Sequence, residues 1–346
     1  MQKTNAILLV LAACVALALG QSVRAQTTSQ SRLIPHGSWD CGMPDGIASP
    51  EAGERVLEIA IPLARAIDVG QTQYGMRRVA VGLEGSVKGP KFSGTVATGA
   101  LDFELTLANG VIEIEQAFVL QATDGSYLYV RNAGAGPNAA DVRVVMDFEA
   151  PNASEHAWLS SGKFVARREL NAAAKTMRLV VYDVSKVAGS GNEISIAKPA
   201  EIAPQPWNYR SKRADEQQGE RLITENVTLG PSQRVGESKR GARNIIPITG
   251  GTVSGRITGK VLMGGADYQI LSPPPATIDA HYLWQTDDGE TIIVRNGGSF
   301  GGLVPTFEAR LDGPYAYLNT GAYLSSNPGR GGGGVELVFY ESTKAR

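Results

Sequence analysis

Apolar positions along this chain come in short runs. Val, Ile, Leu and Tyr cluster for a few residues, and then Gly, Asn or Asp intervenes, at intervals of about 8–12 residues. That spacing predicts the short strands of an all-β sandwich or barrel. Residues 277–284 show the type, because they carry no apolar stripe of helical period. Thr286-Asp287-Asp288-Gly289 then supplies a tight turn, and residues 290–295 return as the partner strand. Thr123-Asp124-Gly125 predicts a matching hairpin earlier in the chain. The frequent glycines suit bulges and bends where strands curl around a small barrel. Residues 172–175 alone read as locally helical.

The pattern occurs twice. Gly70, Gly75, Arg77, Gly85, Gly94, Gly99 and Asp102 precede Asp124-Gly125, Val130-Arg131-Asn132, Phe148-Glu149 and Trp158-Leu159. Gly236, Gly241, Arg243, Gly251, Gly259, Gly264 and Asp267 precede Asp288-Gly289, Val294-Arg295-Asn296, Phe307-Glu308 and Tyr317-Leu318. The offset falls from 166 to 158 residues along the copies, so they differ by short gaps. Units of this length are tandem domains, since solenoid repeats have periods of about 20–50 residues. The expected division is a signal peptide at 1–25, an extended arm at 26–53, a first barrel at 54–186, a solvated linker at 187–219 and a second barrel at 220–343.

The first 25 residues carry a short n-region, a 14-residue apolar run at positions 6–19 and a small-residue cleavage pattern at Val23-Arg24-Ala25. The expectation is export to the periplasm or medium. Removing Lys3 and Arg24 leaves 31 Lys plus Arg against 34 Asp plus Glu, a formal charge of −3. That excludes nucleic acid as a partner, because phosphate binding needs a basic face. No later segment is apolar enough for membrane insertion after cleavage. A small-molecule ligand and a second copy of the chain are the partners that the sequence leaves open. Cys41 would be the one cysteine after cleavage, so stability must come from buried cores.

A barrel interior receives every second side chain, and polar groups there need partners or a ligand. Repeat two offers more such groups. Asp267 and Gln269 share one strand face, Asp279 and His281 another, and Thr306 and Glu308 a third. The candidate catalytic residues are Asp267, His281 and Glu308, with Asp267 or Glu308 as base and His281 as acid. The candidate ligand-binding residues are Gln269, Tyr282, Trp284, Asn296, Tyr317 and Asn319. Each has a structural alternative: a turn residue for Asp267, packing for His281, and an ion pair with Arg243 or Arg295 for Glu308. His36, His156 and His281 lack metal-ligand spacing, and no motif calls for a cofactor or a metal. The Gly-rich 329–334 stretch lacks the Gly-Lys-Ser/Thr ending of a phosphate loop, and no Gly-x-Ser-x-Gly elbow occurs.

Aligned on the Asp-Gly turns, His281 falls on Ala117, Tyr282 on Phe118, Gln269 on Glu104 and Asn319 on Ser160. Asp267 and Glu308 fall on Asp102 and Glu149. Repeat one has therefore lost much of the polar set, which points to one working pocket in repeat two.

Repeat two resembles the DUF3237 family, also catalogued as UPF0311. The likeness runs through Arg243, residues 246–251 (Ile-Pro-Ile-Thr-Gly-Gly), residues 264–269 (Gly-Gly-Ala-Asp-Tyr-Gln), Tyr282, Asp287-Asp288-Gly289, Asn296, Phe307-Glu308, Tyr317-Leu318-Asn319 and Phe339-Tyr340. Repeat one matches through Gly70, Arg77-Arg78, Gly85, Gly94, Asp102, Asp124-Gly125, Phe148-Glu149 and Trp158-Leu159. The resemblance implies two calycin-like, lipocalin-type antiparallel β-barrels and no established activity. The family typically has Arg where His281 stands. It also has a longer insertion before the Phe-Glu pair, where only residues 297–305 intervene here. The leading functional expectation is a pocket in the second barrel, for binding or for cofactor-free isomerase- or lyase-type acid–base chemistry. The alternative is a non-catalytic structural or interaction module of the cell envelope.

Overall fold

The computed structural model describes residues 31–39, 41–189, 191–331 and 334–344. The predicted signal peptide, and residues 26–30 of the arm, lie outside the described residues. In the first half, eight strands run up and down in chain order: β1 (Glu54–Thr72), β2 (Gly75–Gly82), β3 (Leu101–Thr106), β4 (Ile112–Ala122), β5 (Tyr127–Gly136), β6 (Arg143–Met146), β7 (Phe164–Asn171) and β8 (Thr176–Asp183). Each pairs antiparallel with the next, and β8 returns to β1, so the barrel closes. The second half repeats the meander: β9 (Glu216–Leu229), β10 (Gly241–Gly255), β11 (Ala266–Ile270), β12 (Thr277–Thr286), β13 (Thr291–Ser299), β14 (Val304–Glu308), β15 (Tyr323–Ser325) and β16 (Gly334–Lys344). β16 returns to β9. The seam between β14 and β15 has no ladder. It is bridged by Ser325 N donating to Leu303 O at 3.0 Å. The protein is thus all-β, a closed barrel followed by a barrel-like sheet of the same topology.

Alternation explains the cores. On β12, Ile278, Ala280, Tyr282 and Trp284 point inward, while Asp279, His281 and Leu283 point out. The first barrel is filled by Leu57, Ile59, Ile61, Phe118, Leu120 and Phe148 among others. Residues 172–175 are not helical. They form the β7–β8 hairpin turn, where the Asn171 carboxamide accepts from Ala174 N at 2.9 Å and holds the chain in a turn. The one α-helical turn of the described residues is Trp158–Ser161. Among these residues no helix is long and apolar enough to cross a membrane.

The outward faces of both barrels are also buried, because the barrels pack on each other. Val69, Val79 and Phe103 of the first meet Leu262, Leu283 and Ile293 of the second. Val235, Ile245 and Tyr268 of the second meet Ala97, Val119 and Tyr129 of the first. These sets interchange at offsets of 164–166 residues, so exchanging the copies maps one cluster onto the other. That is the isologous geometry of a two-fold dimer, here held within one chain. Gly99 and Gly264-Gly265 bring the backbones together, with Gly265 N donating to Gly99 O at 2.8 Å. A Cβ on Gly265 would sit 1.9 Å from His281 O.

The 187–219 stretch, expected to be a solvated linker, is instead a packed strap. Asn192–Ser195 pairs with Ser31–Ile34 of the arm, Gln205 is buried, and the Trp207 ring meets Trp39 edge-on at 5.4 Å. Its apolar residues Ile194, Ile196, Ile202 and Trp207 dock on the outside of the first barrel, which the surrounding charges concealed in the sequence.

Candidate functional site

Inside the second barrel lies a cavity of about 150 Å³. Its walls are mostly apolar, with Val227 and Leu229 from β9, Ile278 and Ala280 from β12, and Leu337 from β16. Phe300, Leu303 and Pro328, from the loops flanking the β14–β15 seam, close one side. Four of the sequence-predicted residues line it: Asp267, Gln269, Tyr282 and Asn296.

Asp267 is the chemical centre of this cavity. Its Oδ2 accepts from Gln269 Nε2 at 2.7 Å, while its Oδ1 is buried without a hydrogen-bond partner. Gln269 is held in turn by Asn244 Nδ2, at 2.8 Å. Burial pushes the Asp267 carboxyl up to about 7, against the Gln269 hydrogen bond. Asn296 donates Nδ2 to Ser325 Oγ at 3.1 Å, across the open seam, and its Oδ1 is a second unpartnered acceptor. Such orphaned buried acceptors are uncommon and point to a missing donor.

Behind Tyr282 lies a group that the sequence reading missed. Glu225 on β9 is fully buried and accepts from Tyr282 Oη at 2.6 Å and from Trp284 Nε1 at 2.8 Å. Burial pushes its carboxyl up to about 7, with both hydrogen bonds opposing. The available signal was the internal comparison. Glu225, Tyr282 and Trp284 stand at the places of Ile59, Phe118 and Leu120, so an apolar trio in one copy is a polar trio in the other. Trp284 itself is core, stacked between Phe307 and Phe339 rather than on the cavity.

The remaining candidates lie elsewhere. Glu308 faces the first barrel, where it takes Arg77 Nε at 2.8 Å and Thr72 Oγ1 at 2.6 Å. The ion pair weighed in the sequence was with Arg243 or Arg295; the actual partner comes from the other copy. Glu149 makes the mirror contact, taking Arg243 Nη2 at 2.8 Å and Ser238 Oγ at 2.8 Å. His281 also faces outward, bonded to Asp279 at 2.9 Å. Burial lowers its pKa, against the opposing pull of Asp279. Around it, Arg131 and Arg295 cross-link Glu115 and Asp279, and both guanidiniums donate to Trp207 O at 2.5 Å. His281 and Glu308 therefore do not share a chamber with Asp267. Asn319 clamps a loop, exchanging two 2.8 Å hydrogen bonds with the Ala309 backbone, and Tyr317 is substantially exposed. Asp124, Glu155 and His156 bring ligand-type atoms within 4.8 Å of one another on the first barrel, a proximity that sequence spacing hid. The contact among them is a hydrogen bond, with the buried His156 Nε2 3.2 Å from Asp124 Oδ2.

The profile described as "Protein of unknown function (DUF3237)" matches residues 52–142 and 218–302, one stretch in each barrel and about half of the chain together. The chain belongs to the DUF3237 family. Among curated DUF3237 relatives, a UPF0311 protein of Rhodopseudomonas palustris (strain TIE-1) is 43% identical over 79 residues, covering 22% of this chain and 52% of that one. A UPF0311 protein of Bradyrhizobium diazoefficiens is 41% identical over 78 residues, covering 22% and 51%. The chain spans about half the length of the curated relatives it matches. Among solved structures, a protein of unknown function from Clostridium acetobutylicum is 24% identical, with a TM-score of 0.34, covering 38% of this chain and 96% of that one. A beta-barrel like protein from Acinetobacter baumannii is 17% identical, with a TM-score of 0.34, covering 38% and 94%.

Proposed function

We propose that this DUF3237 protein is an exported small-molecule binder whose site is the cavity of the second barrel. The observation that carries the reading is the Asp267 carboxylate, with one oxygen buried and unpartnered on an otherwise apolar wall. Apolar walls with a few convergent polar groups are the usual make-up of a ligand site. The first barrel serves as its filled partner. The apolar run at residues 6–19 supports export.

Acid–base chemistry in this chamber rests on Asp267 as the base, since His281 and Glu308 work in the interface. A carboxyl that titrates near neutrality is matched to proton transfer at ordinary pH. The test is thermal stabilisation of the full chain by pooled metabolites, repeated on Ala280→Leu and on His281→Ala. Leu at 280 projects into the cavity and is expected to abolish the shift, whereas the His281 variant keeps it. A ligand shift that survives Ala280→Leu removes the cavity from the reading.

A further inference from the structure

The two barrels treat the same carboxylate differently, and the difference describes the ligand. In the first barrel Asp102 occupies the position of Asp267 and has an ion-pair partner. Arg168 reaches inward from β7 and places Nη2 2.6 Å from Asp102 Oδ1, Nε 3.0 Å from Asp102 Oδ2 and Nη1 2.8 Å from Glu104 Oε2. Gln116 adds a donor to Asp102 Oδ2 at 2.5 Å. This buried Asp–Glu–Arg–Gln set is complete.

The second barrel keeps the carboxylate and loses its partners. The residue paired across from Asp102 is Gln116; the residue paired across from Asp267 is Ala280. Glu104 becomes Gln269. At an offset of 159 residues Arg168 becomes Asn327, which is exposed and accepts from Gly301 N at 2.6 Å instead of entering the barrel. Ala280 lines the cavity at the position where the first copy has Gln116, and Asn327, at the position of Arg168, lies outside its lining. Glu225 adds a second carboxyl, fully buried. Among the described residues, neither it nor Asp267 has an ion-pair partner within 4 Å.

Resting on the cavity reading above, we infer that the second barrel binds a small organic cation, of amidinium, guanidinium or primary ammonium type, as the counter-ion to Asp267 that Arg168 is to Asp102 in its twin. With Gln269 in place of Glu104, Asp267 is the one carboxylate that lines the cavity, and a single positive charge on the ligand matches it. The two orphaned acceptors, Asp267 Oδ1 and Asn296 Oδ1, call for N–H donors. A volume of about 150 Å³ holds a body near the size of benzene. The apolar walls suit such a body beside the charged head.

The test titrates the full chain with benzamidinium and benzylammonium at pH 8, beside the neutral isostere benzyl alcohol and the anion benzoate. Both cations are expected to bind, and benzoate is not. Benzyl alcohol is expected to bind at least tenfold more weakly than either cation. Asp267→Asn is expected to weaken the cations at least tenfold while moving benzyl alcohol little. In the unaltered protein, cation affinity is expected to fall as pH drops below 7, because protonation removes the counter-charge; this arm needs no variant to fold. If benzyl alcohol binds as well as the cations, or Asp267→Asn leaves cation affinity unchanged, the cation assignment is overturned while the cavity stands. If none of the four binds, the cavity reading itself fails.

Discussion

Removing one charge from the inter-barrel ion pairs is expected to cost far more than removing both, and the two symmetry-related pairs are expected to differ. Arg77 and Glu308 have side chains only 2% and 9% exposed. In Arg77→Met the Glu308 carboxylate keeps only the Thr72 hydroxyl. Stranding a buried charge costs about 3–5 kcal/mol, a large share of the 5–15 kcal/mol typical of domain stability. Glu308→Gln strands the Arg77 guanidinium, which retains Gln205 at 2.9 Å, and a similar loss follows. The double variant strands nothing, and Gln at 308 can still accept from Thr72. Its loss is expected to be below either single, giving a coupling energy of at least about 2 kcal/mol. Arg243→Met is the internal control. There Glu149 keeps Arg240 at 3.0 Å and Ser238 at 2.8 Å, so the loss is about 2 kcal/mol, the worth of one charged hydrogen-bond set. Urea unfolding of the four variants gives these numbers from midpoint shifts at constant slope. Additive singles, or equal losses from Arg77→Met and Arg243→Met, would refute the claim that these contacts tie the barrels together.

Three further expectations rest on other contacts. Glu225 has its folded pKa raised from 4.5 to about 7, so its stabilising effect is complete below pH 4.5 and is lost as pH rises through 7. This is a swing of roughly 3 kcal/mol at about 1.4 kcal/mol per pH unit; Glu225→Gln should shrink the fall in urea midpoint between pH 5 and pH 7.5, leaving the part that comes from Asp267, and an unchanged fall contradicts the assignment. Gly265→Ala forces a Cβ against the His281 carbonyl at a φ of +77° and is expected to lower stability by more than about 2 kcal/mol; a variant with unaltered Tm would mean that the backbones are not in contact there. Trp207→Ala removes the ring that lies 4.1 Å over Arg131 and 5.4 Å from Trp39, and limited proteolysis should then cut the strap and the arm together. Cleavage unchanged from the parent would show that the strap docks without this side chain.

Strand identity and the Asp-Gly turns were legible because both are written locally, in β-branched runs and in residues that tolerate tight turns. The duplication was legible because spacing survives substitution. The interface was not. Glu115, Arg131, Asp279 and Arg295 lie on outward strand faces, and charge on an outward face reads as solvated until a second barrel covers it. Yet a signal was present. Arg77 with Arg243, Glu149 with Glu308, and Arg131 with Arg295 are among the charged residues that both copies hold at matching positions. Each of these pairs turns out to work between the barrels rather than inside one. Positions where the copies disagree mark the cavity instead: Gln116 against Ala280, Arg168 against Asn327 and Ile59 against Glu225. Likeness in these three pairs was thus the trace of docking, whereas at Asp102 and Asp267 the carboxylate is shared and its surroundings differ. Glu308 was misplaced because alternation separates the two faces of β14 without saying which one looks into the barrel; Phe307 does, and Glu308 looks out.

This division has an energetic logic. A cavity of about 150 Å³ costs on the order of 4 kcal/mol at about 24 cal/mol per Å³. Two carboxyls without counter-ions, Glu225 fully buried and Asp267 half-buried, add to that, and the β14–β15 seam forgoes the ladder that joins β6 to β7. A barrel with all three defects is poorly placed to stand alone. Its outer face, however, is shared with a twin whose interior is filled and whose Asp102 is paired. Leu283, Ile293 and Tyr268 are buried only because the first barrel covers them, and Glu308 is neutralised only by Arg77. The first barrel, its interior filled and its outer face packed on the second, supports that barrel from outside. Duplication within one chain fixes this asymmetry. Two identical subunits would both have to be hollow or both be filled, whereas two linked copies can differ.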